Sequence, residues 1–152
     1  MSIKYRIASS KDNENLKKLD SVTSTGELAD YSRTKKDLFD VYEYLRRKGC
    51  FWLAEDNDKI VGMVGVRMGK EGKMKVKALR VHPKYQRQGI ARKLMSMLED
   101  YCKKNKDEEI ILGVNRNSLP AIALYESLGY TRFKEIAYGP GKTVYFYKKK
   151  LT

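Results

Sequence analysis

The stretch VHPKYQRQGIARKLM, Val81 to Met95, decides the fold. Its first residues close an extended run, KMKVKALRV, in which Val76, Ala78 (or Leu79) and Val81 stand among cations before His82-Pro83. Proline donates nothing to a strand ladder and restricts the residue before it, so the strand ends there. Beyond Gly89, the residues Ile90, Leu94, Met97, Leu98 and Tyr101 recur at steps of three and four, while Arg92, Lys93, Glu99, Asp100 and Lys103 fall mostly between them. That period predicts an amphipathic helix. The unit is strand, short basic loop, helix, with Gly89 at the helix start. A helix N-terminus offers unpaired N–H groups and partial positive charge, which together suit a phosphate. Gln86, Arg87, Gln88, Gly89, Ile90 and Ala91 would wrap that end, and a glycine lets the backbone approach an anion with no Cβ in the way. Arg87 and Arg92 would add charge-assisted contacts. A plain strand-to-helix turn decorated with surface cations explains the segment equally well.

Upstream, IKYRIAS starts as an alternating strand over Ile3 to Ile7. SSKDNENLKKLDSV, with Ser and Asp as cap candidates and Leu16 and Leu19 on one face, predicts a helix. RTKKDLFDVYEYLRRKG places Leu38, Val41, Tyr42 and Leu45 on one face and stops at Gly49, a second helix. CFWLAED and IVGMVGVRM flank the turn NDK as a hairpin. Downstream, EEIILGV is a buried strand, and SLPAIALYESLGY is a short helix with a Ser cap, Pro120 in its first turn and Gly129 as its stop. YTRFKEIAY and TVYFYKKKL, joined by GPGK, close the chain as a hairpin. The order β-α-α-β-β-β-α-β-α-β-β predicts a mixed α/β sheet in one domain over 1–152.

Composition bounds the function. A chain of 152 residues, 41% hydrophobic and 34% charged, fits one folded globular domain. No apolar run approaches the roughly 18 residues that span a bilayer. MSIKYRIASSKD lacks the apolar core of an export signal. Cys50 and Cys102 form neither a disulfide framework nor a zinc-ligand spacing. A cytoplasmic protein away from membranes is the expectation. The net charge of +13 attracts anions, whether cofactor phosphates, nucleic acid or an acidic membrane face. Lysine dominates the basic residues, whereas bidentate phosphate recognition favours arginine, so most of that charge reads as solubilising surface. The P-loop, the G-x-G-x-x-G fingerprint and the G-x-S-x-G elbow do not occur. His82 is the one histidine, which rules out a His-based metal cluster and a two-histidine mechanism. No metal is predicted, and His82 itself reads as a surface or packing residue.

The segment V-H-P-K-Y-Q-R-Q-G-I-A-R-K-L resembles the acyl-CoA-binding motif of the GNAT N-acetyltransferase superfamily, Q/R-x-x-G-x-G/A after a strand ending V-x-P, met here by Gln86, Gly89 and Ala91. PAIALYESLGY is similar to the same superfamily's A-x-x-L-Y-x-x-x-G-F/Y signature through Ala121, Leu124, Tyr125, Gly129 and Tyr130. The resemblance implies a GNAT acyltransferase fold, a central mixed and mostly antiparallel sheet flanked by helices. It implies acetyl-CoA (coenzyme A) as cofactor and a primary amine, small molecule or peptide, as the group that attacks the acetyl carbonyl. The pyrophosphate would lie on the amides of Arg87 to Arg92. The pantetheine arm would follow the strand ending Leu79-Arg80-Val81, which splays from its neighbour. An N–H near Val81 would polarise the thioester carbonyl. Tyr125 would be the general acid toward the leaving thiolate, against the plainer role of a packed core tyrosine. The asparagine that often contacts the cofactor falls at Ser118, with Asn117 beside it, and either could serve.

The general base is unassigned. Gly113 stands where some relatives carry a glutamate, and KMKVKALRV contains no carboxylate. Glu55, Asp56, Glu108 and Glu109 lie at or near strand ends and read as surface charges. DNENLKKLD and ELADYSRTKKD hold carboxylates that could line an amine site, and Tyr138 falls where relatives acting on protein N-termini often hold a peptide. The missing base motivates one alternative, an acyl-CoA-binding domain without transferase activity. The charge, with Tyr145, Phe146 and Tyr147 beside three lysines, motivates another, a nucleic-acid-binding module. A terminal strand with a cationic tail explains that stretch better. A monomer and a homodimer both fit.

Overall fold

The computed structural model describes residues 2–23, 40–69 and 71–151. The strands are β1 (Ile3–Ile7), β2 (Cys50–Asp56), β3 (Lys59–Met68), β4 (Met74–Val81), β5 (Glu109–Asn115), β6 (Thr131–Ala137) and β7 (Thr143–Lys150). Among the described residues the helices are α1 (Asn13–Thr23), α2 (Val41–Arg46), α3 (Ile90–Lys104) and α4 (Leu119–Ser127). Their order is the expected one. All strands join one sheet in the order β1-β2-β3-β4-β5-β7-β6, antiparallel throughout except between β4 and β5.

Helices cover both faces of the sheet, and β2 shows how. Side chains alternate along a strand. Cys50, Trp52 and Ala54 join Ile90, Leu94, Met95 and Leu98 of α3 on one face, while Phe51 and Leu53 join Leu16 and Leu19 of α1 on the other. Both sets are buried, so the strand is apolar at five consecutive positions. Burying one such side chain contributes about 1.5–3 kcal/mol. A strand buried on both faces reads as an apolar run rather than as an alternation.

The apolar face expected for the second helix is corrected. Val41 is buried as predicted, but Tyr42 and Leu45 are 59% and 50% exposed, and Tyr44 is the side chain that enters the core, edge-on to Phe51. Leu38 lies outside the described residues. The helix ends at Arg46, earlier than Gly49, and Lys48 takes the left-handed turn at φ 57°. Gly49 serves a close approach instead. A Cβ there would overlap the Val66 carbonyl oxygen and stand 2.7 Å from the Arg67 Cα. On α3, Met95 and Cys102 are fully buried while Met97 and Tyr101 flank the stripe. Glu99, expected on the polar face, is buried because it accepts hydrogen bonds from the Tyr130 hydroxyl at 2.9 Å and the Lys149 ammonium at 2.8 Å.

The open choice between Ala78 and Leu79 is settled by a bulge. Met63 pairs with Arg80 and Gly65 with Lys77, so Ala78 and Leu79 together oppose Val64. Ala78 sits at φ 57° and faces the α1 side, and Leu79 and Val81 return to the α3 side. The extra residue switches the parity of the strand. Gly49→Ala is expected to destabilise the fold by about 2–3 kcal/mol through overpacking, lowering Tm by roughly 5–10 °C. An unchanged thermal unfolding midpoint would contradict that packing.

Candidate active site

β4 and β5 pair at just two rungs, Met74 with Ile110 and Lys75 with Ile111. Beyond them the strands diverge and open a cleft of about 820 Å³. Its walls are β4 from Val76 to Val81, β5 from Leu112 to Asn115, and the N-terminal turns of α3 and α4. The predicted Leu79, Arg80 and Val81 line it on one side, and Asn117, Ser118 and Tyr125 on the other. Gln86, Arg87, Gly89, Ile90, Ala91 and Arg92 line its end, and Gln88 stands between them in the loop.

The basic loop is built to present the start of α3. Gly89 caps the helix in the left-handed region, φ 83° and ψ 6°, and Arg87 is left-handed too at φ 63°. A left-handed non-glycine residue costs about 1–2 kcal/mol, so the surrounding contacts must hold Arg87 there. The Gln86 side-chain amide donates to the Val81 carbonyl at 3.2 Å and ties the loop to β4. Lys93 N–H donates to the Gly89 carbonyl at 3.0 Å, the first bond of the helix. The N–H groups of Ile90, Ala91 and Arg92 precede it and have no acceptor within the helix.

His82 is part of this frame. Its backbone N–H donates to Val61, its Nδ1 accepts from Lys84 N–H at 3.1 Å, and its ring stands edge-on to Tyr85. Partial desolvation, with Lys59 and Lys84 nearby, pushes its pKa down and keeps it neutral. The Tyr85 hydroxyl donates to Asp56 at 2.7 Å.

The opposite wall depends on Asn115, a residue the sequence reading missed. It is buried, its Oδ1 accepts from Asn117 N–H at 2.8 Å, and its Nδ2 donates to the Gly141 carbonyl at 3.3 Å. One side chain therefore holds the loop into α4 and the tip of the β6–β7 hairpin. The signal was present in N-R-N, where an Asn at a strand end favours a turn closed by its own side chain. Arg92 donates to the Ser127 hydroxyl at 2.8 Å, linking the first turn of α3 to the end of α4.

Tyr125 is 6% exposed and edge-on to Tyr130, and its hydroxyl has no hydrogen-bond partner among the described residues. Burial pushes its pKa up to about 12, with the positive charge of Arg80 acting in the other direction. Arg80 donates from Nε to Asp20 at 3.3 Å and from Nη1 to the Leu79 carbonyl at 2.9 Å. Among the described residues no carboxylate lines the cleft. Glu55 is held by Arg6, Asp56 by Tyr85 and Glu109 by Lys73, and Glu108 stands away from the cleft. The whole ELADYSRTKKD stretch lies outside the described residues. Tyr138 is exposed on the hairpin that Asn115 anchors.

Comparison with known proteins agrees with this geometry. Residues 15–130 match the profile of the Acetyltransferase (GNAT) family. The chain is 34% identical over 103 residues to human N-acetyltransferase 8, covering 63% of this chain and 45% of that protein. It spans less than half the length of the curated relatives it matches first. An acetyltransferase of the GNAT family from Staphylococcus aureus Mu50 superposes with a TM-score of 0.82 at 22% identity, over 99% of this chain and 100% of the other. An acetyltransferase from Salmonella typhimurium, solved with its cofactor acetyl-CoA, superposes with a TM-score of 0.79 at 19% identity, over 100% and 95%.

The raised pKa of Tyr125 has a signed consequence for stability. The unfolded chain ionises this phenol near pH 10, the folded chain only near 12. Its contribution is thus fully present below pH 10 and is lost as pH rises from 10 toward 12. Tyr125→Phe should flatten the alkaline fall in stability in that window, with Tyr130 and Tyr147, also raised, supplying the remainder. Superimposable alkaline unfolding profiles for the two proteins would contradict the buried position of this hydroxyl.

Proposed function

The chain belongs to the GNAT acetyltransferase family, and we propose that it transfers the acetyl group of acetyl-CoA to a primary amine that attacks the thioester directly. The wedge between β4 and β5, closed at one end by the amides of a helix N-terminus, supports this above all. The residues present fit the cofactor. A Cβ built at Gly89 meets nothing within 4 Å, so open space fronts those amides. The N–H groups of Ile90, Ala91 and Arg92, with the Arg87 guanidinium, would hold a pyrophosphate. Ala78 and Leu79, displaced from the β3 ladder by the bulge and unpaired to β5, would offer backbone groups to the pantetheine arm.

Acetyl-CoA bound there supplies an activated thioester and a thiolate leaving group. The chain's part is to hold the two partners together, which alone can account for much of a rate enhancement. An N–H near Val81 would polarise the carbonyl where negative charge develops. Tyr125 lines the same cleft and would present its hydroxyl to the departing sulfur. Burial holds the Tyr125 pKa above that of a free thiol, which disfavours outright proton transfer to the sulfur. Tyr125 would therefore serve chiefly as a hydrogen-bond donor to the sulfur, and the proton balance would close when the amine gives up one proton and the thiol gains one. Among the described residues no helix is long and apolar enough to cross a membrane. Free, buried Cys50 and Cys102 suit a reducing cytoplasm, where we place the protein.

Thermal unfolding with and without acetyl-CoA, in about 150 mM salt, tests the cofactor assignment. Near 100 times the dissociation constant the ligand should stabilise the wild type by roughly 2.7 kcal/mol, or about 5–10 °C. Gly89→Glu should fold yet show no shift, because its carboxylate fills the cradle and repels the phosphates. Equal shifts in both proteins would remove the assignment. Thiol release with a panel of amines then separates a transferase from a domain that only binds, and Tyr125→Phe should slow that release while leaving acetyl-CoA affinity nearly unchanged.

A further inference from the structure

The charged side chains that line the cleft share one sign. Lys77, Arg80, Arg87 and Arg92 line it, and among the described residues no carboxylate does. Arg87 and Arg92 stand at the start of α3, the phosphate end in the reading above. Arg80 stands apart from them on β4, facing α1, where its contact with Asp20 fixes it. Its side chain is 18% exposed and held at two points, by the Asp20 carboxylate and the Leu79 carbonyl. Its Nη2 group has no partner among the described residues and keeps its N–H bonds for a ligand. A guanidinium fixed in advance loses little freedom when it binds an anion.

The acceptor amine must satisfy this surrounding. An ammonium among cations is disfavoured relative to the neutral amine, which is the form that attacks a thioester. A carboxylate close to that amine is attracted, and a guanidinium edge is its best-matched partner. With Arg87 and Arg92 at the phosphate end, Lys77, Arg80 and the phenols Tyr85 and Tyr125 are the other titratable side chains that line the cleft among the described residues. Asp20 sits behind Arg80 and offsets part of its charge. Arg80 adjoins Val81 on β4, the residue whose N–H the acetyl-transfer reading sets at the thioester carbonyl, and it lines the same cleft as Tyr125.

We infer that the acceptor carries a carboxylate one or two carbons from its amine, the pattern of an amino acid, and that Arg80 is the residue that selects it. This rests on the acetyl-transfer reading and narrows its substrate class. The test is thiol release from acetyl-CoA with matched pairs, phenylalanine against phenylalaninamide and methionine against methioninamide, with KM expressed per neutral amine. A charge-assisted contact of this kind should give the acid a KM about tenfold lower or better than its amide. Arg80→Gln should bring the ratio of the two KM values close to one, whatever happens to kcat, and Arg80→Lys should restore part of it. Because Asp20 is buried, the Asp20→Asn/Arg80→Gln double variant guards against a carboxylate left unpaired, and the same collapse of the ratio is expected there. Equal KM values for acid and amide in the wild type would overturn the inference, as would an unchanged ratio in both variants. Failure of every acid and amide to release thiol, while acetyl-CoA still raises Tm, would overturn the transfer reading and this inference with it.

Discussion

Two hydrogen-bonded rungs join the halves of this sheet, and the remainder of the structure is arranged around their small number. A parallel pair needs a long crossover, and here α3 supplies it, leaving the end of β4 through the basic loop and returning to β5. Past Lys75 no β5 partner remains, so the two strands part and backbone groups along β4 face open space. The halves are held together by side chains instead. Buried Glu99 on α3 accepts from Tyr130 ahead of β6 and from Lys149 on β7, and Arg92 on α3 donates to Ser127 on α4. These contacts bridge the halves across the helices and leave the wedge open. The cleft follows from a sheet that stops pairing while its helices stay packed.

The same constraint sets the character of the cleft. The crossover must begin where the strands part, so the positive end of α3 arrives at the mouth. Gly89 and Arg87, both left-handed, turn the chain sharply enough to aim the first-turn amides inward. The bulge at Ala78 moves Leu79 and Val81 onto the α3 face and sets Arg80 against α1. Among the described residues four cationic side chains and no acidic one border the cleft, out of a net charge of +13. Elsewhere the charge is mostly solvated surface. Arg132 over Tyr145 and Lys134 over Phe146 form an exposed ladder of cation–aromatic contacts on the closing hairpin.

Much of this was legible in the residues because it is local. The strand-loop-helix unit, both hairpins and the element order follow from apolar periods and turn residues that need no tertiary partner. The motif residues Gly89, Ala91, Leu124 and Tyr125 all reach the cleft. What escaped depends on distant neighbours. Tyr44 rather than Tyr42 enters the core because Phe51 lies across from it, and Glu99 is buried because Tyr130 and Lys149 come from far along the chain. The bulge could not be read from KMKVKALRV, where either parity leaves an apolar face. Asn115 was overlooked since a single buried amide gives no periodic signal.

The central claim is that the first-turn amides of α3 and the bulged backbone of β4 hold acetyl-CoA. Amide hydrogen exchange at saturating acetyl-CoA tests it residue by residue. Slowed exchange should concentrate at Ile90, Ala91 and Arg92 and along Ala78 to Val81, with β1 and the outer strand β6 unchanged. Exchange that stays fast at those amides while the ligand is bound, or protection concentrated on another surface, would contradict the account.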